Sequence, residues 1–299
     1  MTVETGRVVI VNRENKVLYH STDCNKMIAS HSTAKLIQVL PVYLTRLNQY
    51  YNFTPDELAI MSSSHLAQTQ HVQVLERILE KTGLNEDDMV LHISAPTGRL
   101  AYENWMRQKQ CKRKLYHPCS GNHIAMMLVQ RELTGSVFGY EKKDSAVQQC
   151  IAGLMCYITE CPKKRFHIST DNCGVPLYEI PIRNIAIAYK NMVCTPDKFQ
   201  VSIARAIRQN ISALRQNPLM LEGDQCLSTI ITSHNGMVAK TGYGGLLAIG
   251  IPQYDVGIVI QAAEHTWSRA AELTYRALKR IGIKNEQLSH ELEYIMHMA

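Results

Sequence analysis

Two stretches decide how this chain is read: His31-Ser32-Thr33-Ala34-Lys35-Leu36-Ile37 near its start and Met237-Val238-Ala239-Lys240-Thr241-Gly242 near its end. Ser32 stands three residues before Lys35, about one helical turn, so both side chains can enter one site. A serine hydroxyl is a poor nucleophile until a neighbour takes its proton. A lysine can take it where burial or nearby cations favour the neutral amine. Ser32 opens a mostly apolar run that reads as a helix start. Lys240 follows an apolar strand-like run and precedes a Gly-rich turn into Leu246-Leu247-Ala248-Ile249-Gly250-Ile251, so it reads as part of a hairpin. From a strand, Lys240 can supply positive potential and hold a substrate carboxylate. A third element, Ser120-Gly121-Asn122, lies between the two.

Composition sets the bounds. The 299 residues are 45% hydrophobic and 19% charged, which fits a globular chain with a large core. No apolar run is long enough to span a bilayer, so no membrane partner is expected. The start, Met1 to Val11, reads as a first strand and not as a charged-then-apolar leader, so a cytoplasmic location is expected. Nine cysteines, an odd number, agree with a reducing compartment. Cys111, Cys150, Cys156, Cys161, Cys194 and Cys226 are expected as reduced core or half-buried thiols. The net charge of +6 is concentrated in Lys109-Gln110-Cys111-Lys112-Arg113-Lys114. That run reads as a solvated loop. No aromatics interleave it, so no nucleic-acid partner is expected.

Residues 7–20 read as two strands around Asn12-Arg13-Glu14-Asn15. Helical patterning runs from about Thr33 to Tyr51. Thr54-Pro55-Asp56-Glu57 starts another helix. His71 to Thr82 is amphipathic, with Val72, Leu75, Ile78 and Leu79 on one face, and ends at Gly83. Helical character recurs over 121–132, 144–159 and 197–214. Four strand-like runs follow, beginning at Thr229, Met237, Leu246 and Val256. A helix from about Ser268 to Ile281 closes the chain. Strands at both ends with helices between predict an α/β (α+β) fold. Its antiparallel sheet is built from both termini, and a helical region is inserted between them. No linker is visible, so residues 1–299 are expected to form one domain.

Ser-x-x-Lys with a later Lys-Thr-Gly resembles the signature of serine β-lactamases and penicillin-binding proteins. Further segments narrow the resemblance. They are Ser64-His65-Leu66-Ala67-Gln68-Thr69-Gln70-His71-Val72, Pro118-Cys119-Ser120-Gly121-Asn122-His123, Asp171-Asn172-Cys173-Gly174-Val175-Pro176 and Ala239 through Gly245. In this order, with the Ser32 segment, they resemble the asparaginase II family: the zinc-containing, serine-dependent asparaginases of rhizobial type. The resemblance implies a serine β-lactamase and glutaminase-like fold. It implies a nucleophile at Ser32, an activating lysine at Lys35, a proton-relaying second serine at Ser64 and a second lysine at Lys240. It implies a metal-binding pair at Cys119 and Cys173. Asp171 and His123 fall near the substrate, and Asn122 and Gly242 lie in the segments that line it. The plainer readings stay open beside these. Ser62 and Ser63 compete with Ser64, His123 reads as a core histidine, Asp171 as a turn-former, and His65 and His71 as structural.

The chain departs from the family at specific positions. The family usually has Cys-Ser-Gly-Lys-His, whose lysine is a further zinc ligand; here that position is Asn122. Two thiolates alone do not complete a tetrahedral zinc site, so zinc at Cys119 and Cys173 is expected to be weak or absent unless His123 or Asp171 fills in. The family has Ser-His-Ser-Gly-Glu where this chain has Ser64-His65-Leu66-Ala67-Gln68. It has Lys-x-Gly-Ala-Glu-Gly where this chain has Lys240-Thr241-Gly242-Tyr243-Gly244-Gly245. Two carboxylates are thus missing where an amino-acid ammonium would be held.

The expectation is a serine-dependent amidohydrolase acting through an acyl-enzyme on a small-molecule amide other than free asparagine, with no cofactor required for the chemistry. Lys240 is expected to help keep Lys35 neutral, and a homodimer is the expected assembly. An enzyme that passes the acyl group to an amine is the alternative on the same residues. A non-catalytic zinc- or ligand-binding relative is the more distant one.

Overall fold

The apolar runs at the two ends of the chain meet in one sheet. A computed structural model describes residues 6–234 and 236–297. The strands are β1 (Gly6–Val11), β2 (Val17–His20), β3 (Met27–Ala29), β4 (His167–Thr170), β5 (Pro176–Pro181), β6 (Val238–Gly242), β7 (Leu246–Ile251) and β8 (Val256–Ala262). Five form an antiparallel sheet in the order β2-β1-β8-β7-β6. Val9 pairs with Val259, Val259 with Ala248, and Ala248 with Lys240, so the first strand and the Lys-Thr-Gly strand are tied through the last two.

Successive strand residues face opposite sides, and each side has its own apolar layer. Val9, Val11, Val238, Leu246, Ala248 and Val259 share a core with the Ile182–Val193 helix and the helical middle of the chain. Val8, Ile10, Ala239, Leu247, Ile249, Ile258 and Ile260 pack with Ala270, Leu273, Ala277, Leu288 and Leu292 of the two C-terminal helices. Helices therefore cover both faces, which is why these strands are almost wholly buried instead of alternating apolar and polar. Two residues on from Val238, Lys240 belongs to the face that meets the helical middle. No helix among the described residues is long and apolar enough to cross a membrane.

The α/β class and the sheet from both ends agree with the sequence reading; several details differ. The Thr229 run is a helix, Leu227–Thr232. A short apolar β-branched run does not distinguish a strand from a buried helical turn. The stretch from Thr33 to Tyr51 is broken into short pieces, His31–Ala34, Lys35–Gln38, Leu40–Leu44 and Leu47–Tyr50. Pro41 sits at the start of the third piece, and Arg46, at φ 61°, ends it. A further helix, Glu286–His297, follows the Trp267–Arg280 helix. Cys111 and Cys150 are exposed, not core or half-buried. The middle also holds a second antiparallel sheet in the order β3-β5-β4, which the polar ends of these short strands conceal in the sequence.

That small sheet positions the Ser32 turn. Ser30 N–H donates to Tyr178 O of β5 at 2.8 Å, and Tyr189 O–H donates to Thr33 O at 2.9 Å. On the other side, the Pro55–Ile60 helix is fixed by a capping box between Thr54 and Glu57. Buried Glu57 also takes Lys81 Nζ at 2.8 Å. This helix delivers the chain to Ser62-Ser63-Ser64.

Candidate active site

Ser32 lies on the short 3-10 turn between β3 and the helical piece that begins at Lys35. The residue before it, His31, has φ 41°, a left-handed conformation that costs a side-chain-bearing residue energy and clusters at functional sites. His31 stands edge-on to Tyr243, with ring centroids 5.6 Å apart, and its Nδ1 is 3.6 Å from Asp171 Oδ1. These three half-buried or exposed side chains rim the approach to Ser32. Asp171 also accepts from Asn172 N–H at 2.8 Å, so it shapes the turn that carries Cys173.

Lys35 is buried, and its amine is the most connected group here. Nζ donates to Ser63 O at 2.6 Å, Ser64 Oγ at 3.1 Å and Cys119 Sγ at 3.3 Å. The Lys35 backbone N–H donates to Ser32 O, but among the described residues no side-chain hydrogen bond joins Lys35 Nζ to Ser32 Oγ. Of the three candidate serines, Ser64 is the one whose hydroxyl meets the amine; Ser62 Oγ donates instead to Asn210 Oδ1 at 3.4 Å.

Cys119 and Cys173 lie side by side. The Cys173 thiol's hydrogen bond to Cys119 first, and then the neighbouring Lys35 and His117, hold the Cys119 thiol well below its usual pKa against the effect of burial. The same bond, with burial, pushes Cys173 up. Asn122 spends an amide N–H on Met61 O at 3.2 Å, at the end of the Pro55–Ile60 helix. A Cβ on Gly121 would come within 2.2 Å of Ile60 O, so the Ser-Gly-Asn step lets the Ser120–Thr134 helix touch that helix end. His123 is fully buried, with Nδ1 2.7 Å from Tyr140 OH, and burial lowers its pKa to about 3. Among the described residues no three His, Cys, Asp or Glu side chains gather to hold a metal. Neither His123 nor Asp171 thus joins the two thiols, and this donor set does not fit tetrahedral zinc.

Lys240 is fully buried, and its Nζ donates to Thr241 O at 3.1 Å and Thr241 Oγ1 at 3.4 Å. Burial, and after it the nearby Lys35, lower its pKa to about 8, against the pull of Glu222. Gly242 brings the end of β6 against the Thr33 methyl of the Ser32 turn. Gly244, where the family carries Glu, has φ 72°, and its carbonyl is 2.7 Å from His265 Nδ1.

The Ser64 segment is held by backbone bonds to the chain opposite. Ser64 N–H donates to Leu221 O and Leu66 N–H to Glu222 O, each at 2.8 Å. His65 is fully buried: Nδ1 accepts from Ala67 N–H at 3.1 Å and Nε2 lies 2.8 Å from Ser120 Oγ, with burial holding its pKa well below the usual value. Gln68 caps the Thr69–Thr82 helix together with His71, and its Nε2 donates to Asp224 Oδ2 at 2.8 Å. Glu222 and Asp224 are site-side carboxylates that the sequence reading passed over. They sit in a loop with no periodicity, and their only signal is an acidic pair flanking Gly223.

A family model described as L-asparaginase II matches residues 2–299. Among curated proteins no sequence matches. Among solved structures, a β-lactamase from Mycobacterium bovis is 11% identical with a TM-score of 0.48, over 94% of this chain and 97% of its own. A class C β-lactamase from Rhodobacter sphaeroides is 10% identical with a TM-score of 0.44, over 98% of this chain and 95% of its own.

Ala67 occupies the family's glycine position at φ 55°, buried. A left-handed alanine costs about 1–2 kcal/mol. Ala67→Gly is therefore expected to be at least as stable as the parent chain in urea denaturation. At an unstrained position the same change costs about 0.5–1 kcal/mol, and a loss of that size would show that no strain is held there.

Proposed function

The chain belongs to the L-asparaginase II family, and on that premise we propose that it is a serine-dependent amidohydrolase working through an acyl-enzyme on Ser32. The observation that carries this reading is the Lys35 amine. It is buried one helical turn from Ser32 and hydrogen-bonded to Ser64 Oγ.

Ser32 Oγ attacks the amide carbonyl carbon. Its proton passes to Lys35 in its neutral form, and Ser64 carries a proton to the leaving nitrogen, so ammonia or an amine departs. Water then adds to the ester, and the acid leaves with Ser32 restored. Backbone N–H groups at the Ser32 turn stabilise the oxyanion. Thr33 N–H is not one of them, because it donates to Ser30 O at 3.0 Å. Lys240 supplies positive potential for a substrate carboxylate. Cys119 and Cys173 shape the wall beside Lys35, and no step uses a metal.

Substrate choice follows from the missing carboxylates. Gln68 is turned into a helix cap, and position 244 carries no side chain. The site then lacks the family's anionic partners for an α-ammonium group. An amide without that group fits better, and the altered surroundings of the site keep acyl transfer to an amine as a second reading.

Ammonia release across a panel of amides tests the proposal, with added amines and product analysis to separate transfer from hydrolysis. Ser32→Ala is expected to abolish turnover of every substrate while the protein stays folded. Asparagine is expected to be about ten- to a hundredfold poorer than the best amide, the worth of one charged contact. Near-parental turnover by Ser32→Ala would remove the nucleophile assignment.

If the Lys240 cation is needed, kcat/KM should fall as pH rises through about 8, about tenfold per unit beyond. The sign follows from the lowered pKa: the amine is charged below that value and neutral above it. A flat profile from pH 7 to 10 would rule out a role for its charge.

Zinc is expected to be substoichiometric and removed by dialysis when the protein is purified without chelator. Losing one strong ligand should cost at least the ten- to a hundredfold seen for losses around such sites. One zinc per chain that resists dialysis would require a ligand outside the set described.

A further inference from the structure

Glu222 joins three parts of the site. Its backbone and that of Leu221 bind the Ser64 segment, through Leu66 N–H to Glu222 O and Ser64 N–H to Leu221 O. Its side chain, only 8% exposed, reaches β6 and the helix beyond. Oε1 accepts from Thr241 Oγ1 at 2.6 Å, and Oε2 accepts from Ser228 N–H at 3.2 Å.

Proton counting makes this directional. Thr241 has one hydroxyl proton, and the carboxylate takes it. The Thr241 oxygen is then left with lone pairs only, which accept from Ser228 Oγ at 3.1 Å and from Lys240 Nζ at 3.4 Å. Ser228 Oγ in turn accepts Thr241 N–H at 2.9 Å. A carboxylate, a hydroxyl and an ammonium stand in line, each donating toward the carboxylate. The charged or titratable groups acting on Lys240 are Glu222, Lys35, Cys119 and Cys226, and Glu222 is the one carboxylate among them. A fully buried ammonium without an anion would lose its proton.

We propose that Glu222 is a positioning residue that keeps Lys240 a cation and pins the Lys-Thr-Gly strand to the Ser64 segment. This rests on the reading of the site given above, but its charge relation to Lys240 does not depend on any substrate. A plain capping role for the Leu227–Thr232 helix predicts something different. Asp or Gln can cap, yet only a carboxylate can hold a neighbouring lysine charged.

The test is direct titration of Lys240 by NMR in protein labelled with 13C-lysine, with its signal assigned by loss in Lys240→Met. The parent protein should show Lys240 charged at pH 7. In Glu222→Gln its midpoint should fall by about one pH unit or more, the effect of removing one close opposite charge, while circular dichroism and thermal melting show the fold intact. Glu222→Asp should recover most of that fall. If an amide substrate is in hand, the upper limb of kcat/KM should move with the midpoint. A folded Glu222→Gln with an unchanged midpoint overturns the proposal. So does a parent protein whose Lys240 is already neutral at pH 7, a result available even if the variant does not fold. Failure to find any amide turned over would count against the proposed function and leave the NMR result standing.

Discussion

One buried amine holds the site together. Lys35 Nζ bonds the Ser63 carbonyl, the Ser64 hydroxyl and the Cys119 sulfur, three groups from two segments far apart in the chain. Burying an amine is costly unless its polar atoms find partners. Here three polar neighbours meet it, and one of them is the Cys119 sulfur, whose pKa is held down. The packing around it serves the same end. The Gly121 approach to Ile60 and the Asn122 bond to Met61 O set where Cys119 sits, and the Pro55–Ile60 helix sets where Ser64 sits.

Lys240 is a second buried lysine, and Lys35 is among the groups that lower its pKa. A buried cation is unstable unless an anion stands near it. The Glu222 carboxylate reaches Lys240 through the Thr241 hydroxyl, from a loop bonded to the Ser64 segment. Electrostatics and backbone pairing therefore constrain the same loop.

What the sequence made legible divides along physical lines. Ser32 and Lys35 are neighbours on one turn, so local spacing alone brings them close. The end strands were readable because runs such as Val256 to Ile260 are long, apolar and β-branched. Contacts made across the fold left weaker marks. Three consecutive serines at 62–64 look alike until the Lys35 amine selects Ser64. Glu222 comes from a loop whose conformation is set by what it binds, and His31's left-handed backbone is imposed by the turn it begins. The Thr229 run carries strand chemistry and forms a helix, because burial against β6 satisfied its side chains in either form.

The departures from the family pattern have local physical consequences. With Gln at 68, the side chain is neutral and folds back to cap its own helix while bonding Asp224. A glutamate there would face that aspartate as a like charge. With Ala at 67, a strained backbone is retained under the His65 ring. With Asn at 122, an amide is spent on a helix-end carbonyl, where a lysine would have been a third buried amine in a region that already holds Lys35 and Lys240. The changes at 68 and 122 lower the number of ionisable groups in the site, and the change at 67 leaves it the same. Glu222, the carboxylate set against Lys240, lies outside the positions that changed.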